Sequence, residues 1–195
     1  MRYPFYGTIA LGLELVDATD RIPTAAVDGV RLYYNRHFFA SLTFQAVLFV
    51  FAHEILHCVY EHLVRRGSRD PKYWNMAADY AVNDILVLDK CGEMPTRLVV
   101  QNGTKKETRI GLHNTKYRGW PTEKIYDDLF DNNAKPQAGL DDHLEIEKVE
   151  KEDGTTGSRL RLPGGGEIEI PESPEELGEI IREAVLEAAA AAAGN

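Results

Sequence analysis

The segment "VFAHEILHCVYEH", Val50 to His62, constrains this chain more than any other. It lies in a run, Phe44 to Val59, that is apolar on nearly every side, the pattern of a helix buried centrally. Yet the run carries His53, Glu54 and His57, and burying three ionisable groups together is costly unless something compensates them. A helix turns about 100° per residue, so histidines four apart lie about 40° from one another, one turn on. Both imidazoles can then reach one tetrahedral ion at about 2.0–2.1 Å. Glu54 sits about 100° round from His53, too far for an ordinary third ligand but within reach of a water at the metal. Two ligands and a base in this order are what a metal-dependent peptidase needs. Accident gives H-E-x-x-H in about one chain in sixty of this composition. The competing reading is a metal-free pair of core histidines.

The third ligand is less plain. His62 lies about 140° off the ligand face if the helix continues, and no glycine stands between it and His57 to break the helix. It is therefore expected to support the site rather than bind the ion. Glu61, four residues after His57, would need a bend to become a ligand. The next helical segment, "WNMAADYAVNDIL", offers more. Asp79 and Asn83 share a face, and the loop before them lets the chain fold back on the first helix. Asp79 completes a His-His-Asp set that leaves a position for water, as catalytic zinc requires. Asn83, one turn on, can accept a hydrogen bond from the far ring nitrogen of His53 or His57. The alternative for Asp79 is to cap a loop or to pair with an arginine such as Arg65 or Arg66. Tyr80, Tyr60, His113 and His143 are candidates to stabilise charge developing on a substrate oxygen. Cys58 reads as core.

The remainder suggests an α+β domain. A first helix is expected near Tyr6 to Val16, and a strand pair around Asp28-Gly29 within Ala25 to Asn35. Ser41 is expected to cap a helix from Leu42 to Arg66 that stops at Gly67. A third helix covers Asn75 to Leu88, a loop-like polar stretch Glu93 to Lys116, and a short amphipathic helix Pro121 to Phe130. Alternating residues from Leu144 onward predict a small exposed β-meander. Ser173, Pro174 and Glu176 spell a capping box for a last helix ending in Ala188 to Ala193. No apolar face remains at that end, which fits a fragment or a tail that docks elsewhere. The division expected is 1–140 for the main domain and 141–195 for the meander appendage with the alanine-rich helix.

The net charge is −9, which disfavours a surface that tracks phosphates, so nucleic acid is not an expected partner. The most apolar run, Ala46 to Ala52, is far shorter than the roughly 20 residues a membrane span needs. Cys58 and Cys91 make no disulfide framework, which points to a reducing cytoplasm.

The segments "TAAVDGVRLYYNRHFFASL", "FVFAHEILHCVYEHLVRR", "DPKYWNMAADYAVND" and "GWPTEKIYDDL" stand in an order that resembles a family of metallopeptidase-like domains. These occur in bacterial and phage proteins, often N-terminal to a von Willebrand A-like domain. The resemblance covers roughly Ile9 to Leu144. It implies a small zincin fold of the gluzincin type, with a central active-site helix, an acidic ligand on the next helix and a short sheet. The matching residues are His53, Glu54, His57 and Asp79. It also implies a von Willebrand A-like or ATPase partner, although this sequence ends without such a domain. In similar zincins an edge strand ahead of the active-site helix pairs with an extended peptide. Gly29, Val30, Arg31, Leu32 and Tyr33 are the candidates here.

The expected activity is zinc-dependent peptide hydrolysis, with one zinc per chain and Glu54 as general base towards a metal-activated water. The alternative is an inactive protein-interaction module stapled by its metal. A DNA-associated protease of the SprT-like kind fits less well, because those proteins use a third histidine and a basic part.

Overall fold

The computed structural model describes residues 4–101, 104–135, 137, 139, 144–151, 154–162 and 166–193. In chain order the elements are α1 (Pro4–Gly12), β1 (Glu14–Asp17), β2 (Ala25–Val27), β3 (Arg31–Tyr34), α2 (Arg36–Ala40), α3 (Phe44–Val59), α4 (His62–Arg65), α5 (Pro71–Asp89), β4 (Thr96–Gln101) and β5 (Thr104–Arg109). They continue with a 3-10 turn (Thr115–Tyr117), α6 (Thr122–Asp131), β6 (Glu145–Glu150), β7 (Thr156–Arg161), β8 (Glu167–Ile170) and α7 (Pro174–Ala193). The architecture is α+β, seven helices and three small sheets among the described residues, as the sequence implies.

The central helix is α3. Its cap is Thr43, whose hydroxyl accepts from the Ala46 amide at 3.2 Å. Ser41 instead ends the short α2, with its hydroxyl on the Phe38 carbonyl. Phe49, Val50 and Ala52 of α3 pack with Leu56 and with Val82 and Leu86 of α5. This contact lays the two helices against each other and sets the site between them. α5 starts four residues before the expected Asn75, because Asp70 caps the amides of Lys72 and Tyr73 and Pro71 takes the first turn.

The expected long helix does not run through to Arg66. It ends at Val59, and Glu61 takes the left-handed conformation (φ 50°, ψ 36°) before α4 begins. At the N-terminus, α1 stops at Gly12 and the residues assigned to its last turn become β1.

β3 is the middle strand of its sheet, parallel to β1 and antiparallel to β2. Asp28 fixes the β2–β3 turn: its Oδ1 accepts from the amides of Val30 (2.8 Å) and Arg31 (2.6 Å). Gly29 has φ 107°, and a Cβ there would stand 2.5 Å from Ile181 of α7. β4 and β5 form a hairpin where a loop was expected. The meander β6–β7–β8 is antiparallel, as its alternation implies. One face of it is not exposed: Leu160, Leu162 and Ile170 bury with Leu144, Leu177 of α7, and Ala18, Ile22, Ala26 and Tyr33 of the first part of the chain. The Ser173–Glu176 capping box forms, with contacts of 2.7 and 3.2 Å. The alanine end of α7 does find a face, since Ala188 is buried with Ile9 of α1 and Ile55 of α3. No helix among the described residues is long and apolar enough to cross a membrane.

Candidate metal centre

His53, Glu54 and His57 face inward from α3 and Asp79 faces them from α5, each no more than 6% exposed. His53 Nε2 and His57 Nε2 lie 3.0 Å apart. Asp79 Oδ1 is 3.6 Å from each. A tetrahedral ion held by bonds of about 2.0–2.1 Å would space its ligand atoms by about 3.3–3.4 Å, so the triangle has the size such an ion needs. Among the described residues these three are a group that can hold a metal ion. Two imidazole nitrogens and one carboxylate oxygen form a borderline donor set that suits a first-row divalent ion.

The far sides of both rings are engaged. His53 Nδ1 lies 2.9 Å from Asn83 Oδ1. The Asn83 amide donates to the Leu112 carbonyl at 2.8 Å, which turns its oxygen towards His53. With that oxygen as acceptor, His53 donates from Nδ1, which leaves the Nε2 lone pair available to an ion. His57 Nδ1 lies 3.0 Å from His62 Nδ1, and His62 Nε2 lies 3.0 Å from Thr122 Oγ1. Asn83 thus touches His53, as its spacing from Asp79 suggested. His62 reaches His57 only because α3 breaks before it, without a glycine. Thr122 carried no signal in the sequence.

Glu54 lines a cavity of about 30 Å³ with Asp28, Gly29, His57, Leu144 and Ile181. That holds one or two waters and no peptide. Glu61 also lines it, but its carboxylate pairs with Arg182 at 3.2 Å and it is outside the ligand triangle. Tyr80 packs on Tyr117, and burial, then Asp79, raises its hydroxyl pKa. Tyr60 stacks on His62, and His113 Nε2 lies 3.2 Å from Asp84. His143 lies outside the described residues. Arg65 pairs with Glu123 and caps the Tyr60 carbonyl, so it is not the partner of Asp79. Cys58 is core, and burial raises its thiol pKa.

The proposed substrate strand needs correction. Arg31, Leu32 and Tyr33 belong to β3, which is hydrogen-bonded on both edges, and Gly29 and Val30 form the turn before it. Gly29 is further covered by Ile181. No free edge is left there for a peptide to pair with.

A family model described as "Putative metallopeptidase domain" matches residues 1–193. The chain belongs to that family. A 106-residue stretch is 26% identical to an uncharacterized protein of Thermotoga maritima. It covers 51% of this chain and 27% of that protein's own length. No solved structure matches the chain.

Proposed function

We propose that the chain is a zinc-dependent peptidase with His53, His57 and Asp79 as metal ligands and Glu54 as general base. The observation that carries this is the triangle of ligand atoms beside a buried glutamate on the same helix. When bound, the ion supplies Lewis acidity, polarising a carbonyl and lowering the pKa of water. Glu54 takes the proton of the attacking water on its carboxylate and returns it to the leaving amine. Asn83 holds His53 in the tautomer that binds. The substrate is a peptide bond in a protein or peptide, and the net charge of −9 favours basic segments. Two free, buried cysteines fit a reducing cytoplasm.

Access sets a condition. Leu144 and Ile181 of α7 line the cavity with Glu54, and its space of about 30 Å³ takes water but not a peptide, so in this reading the meander or α7 shifts when a peptide binds. Ile181→Ala is expected to speed extraction of the metal by a chelator in the folded chain. An unchanged rate would mean that entry runs elsewhere.

The small volume of this cavity is the one observation that favours the second reading, a metal-stapled interaction module. Structural zinc takes four protein ligands, however, and the described residues bring three together. Glu54→Gln separates the readings. It should lower hydrolysis of an unstructured peptide by about 100-fold or more while metal content and fold are kept. Equal hydrolysis in both proteins, or none in the wild type with metal bound, would remove the peptidase reading.

A further inference from the structure

We propose that Thr122, by accepting from His62 Nε2, holds His62 as the acceptor for the His57 ring proton and is a positioning residue for the metal centre. The inference rests on the His-His-Asp reading of the site.

His57 presents Nε2 to His53 and Asp79. For that nitrogen to give its lone pair to a cation, the ring proton must sit on Nδ1. His57 Nδ1 lies 3.0 Å from His62 Nδ1, so His62 must accept there. A neutral His62 that accepts at Nδ1 carries its own proton on Nε2. That proton points at Thr122 Oγ1, 3.0 Å away, and the hydroxyl oxygen accepts it. With an ion on His57 Nε2 the three groups fit one line of donors and acceptors, in which the hydroxyl at the start of α6 takes the last proton. Metal-bound histidines usually donate to a carboxylate, a carbonyl or water. Here the acceptor is a second imidazole, which when neutral accepts at Nδ1 only while its Nε2 carries the proton, and Thr122 is the partner that receives it.

The backbone is shaped for this contact. A helix continuing through residue 62 would carry His62 about 140° away from the ligand face. Glu61 instead adopts φ 50°, ψ 36°, a region that disfavours residues with a Cβ. Non-glycine residues are held there when the surroundings over-determine them, and such positions concentrate at functional sites. His62 is then pinned from other directions. The Trp74 indole donates to its carbonyl at 2.8 Å and the Tyr60 ring stacks on its imidazole. Both His62 and Thr122 are buried.

The test is zinc affinity of the full chain, measured by competition with a chromophoric chelator, for wild type, Thr122→Val and Thr122→Ser. Thr122→Val is expected to weaken zinc binding by about 10–100-fold, and Thr122→Ser to restore it. Zinc bound as tightly by Thr122→Val as by wild type overturns the proposal, and so does a serine variant as weak as the valine one. If Thr122→Val does not fold, His62→Asn, which keeps an acceptor near Nδ1, should bind zinc more tightly than His62→Leu. Equal losses would again overturn it. Because the readout is affinity, it is independent of hydrolysis. Wild type that binds zinc and cleaves nothing sinks the peptidase reading and leaves the relay standing. Wild type that binds no divalent metal sinks both.

Discussion

His53 and His57 sit one turn apart on the same helix, yet the two sides of the site are built differently. On the α5 side, Asp79 and Asn83 stand one turn apart on a regular helix, and one amide bridges His53 to the Leu112 carbonyl. On the other side, α3 has to stop, Glu61 has to take positive φ, and the line from His57 runs through His62 to a hydroxyl on α6. The first side follows from helix periodicity. The second is made by departing from it. A ligand can therefore be supported by spacing alone or by a break in spacing held in place by tertiary contacts.

The difference can be broken from either side. The largest effect is expected at Asn83→Leu. It removes the acceptor for His53 and orphans the buried Leu112 carbonyl, so metal affinity should drop by about 10–100-fold and stability by about 1–3 kcal/mol. Chelator competition and thermal unfolding would check this, and an unchanged affinity would show that His53 does not depend on its amide. Trp74→Phe should act on the His57 side alone. The indole is buried and donates to the His62 carbonyl, so its loss should cost about 1–3 kcal/mol and loosen His62 without touching His53. Chemical shifts of the two ligand rings would show whether only one side moves. The smallest effect is expected at Glu61→Gly. Relief of the left-handed conformation gains up to about 1 kcal/mol, and loss of the part-exposed pair with Arg182 costs less than that. Metal affinity should hold. A large loss would mean that the Glu61 carboxylate, rather than its backbone, serves the site.

These two sides also mark what the sequence makes legible. The H-E-x-x-H helix, the facing helix with Asp79 and Asn83, the Asp28-Gly29 turn, the meander and the Ser173–Glu176 box all announce themselves through local period or cap chemistry. The break at Glu61 does not, because glutamate carries no preference for positive φ and the tertiary bonds of His62 impose it. Thr122 is silent for the same reason: it lies 60 residues from His62 along the chain. The β4–β5 hairpin is hidden in the sequence because β5, "TKKETR", is exposed at every position and has no apolar alternation to show. The central place of β3 depends on β1, whose four residues looked like the end of a helix. The buried face of the meander depends on what α7 and the first sheet bring to it.

The most direct measurement is the metal content of purified wild type and Asp79→Ala by elemental analysis. About one zinc per chain in wild type, lost in the variant, is the predicted result, since three ligands hold catalytic zinc and two do not suffice. Equal zinc in both proteins would contradict the His-His-Asp centre, as would wild type that stays metal-free after reconstitution.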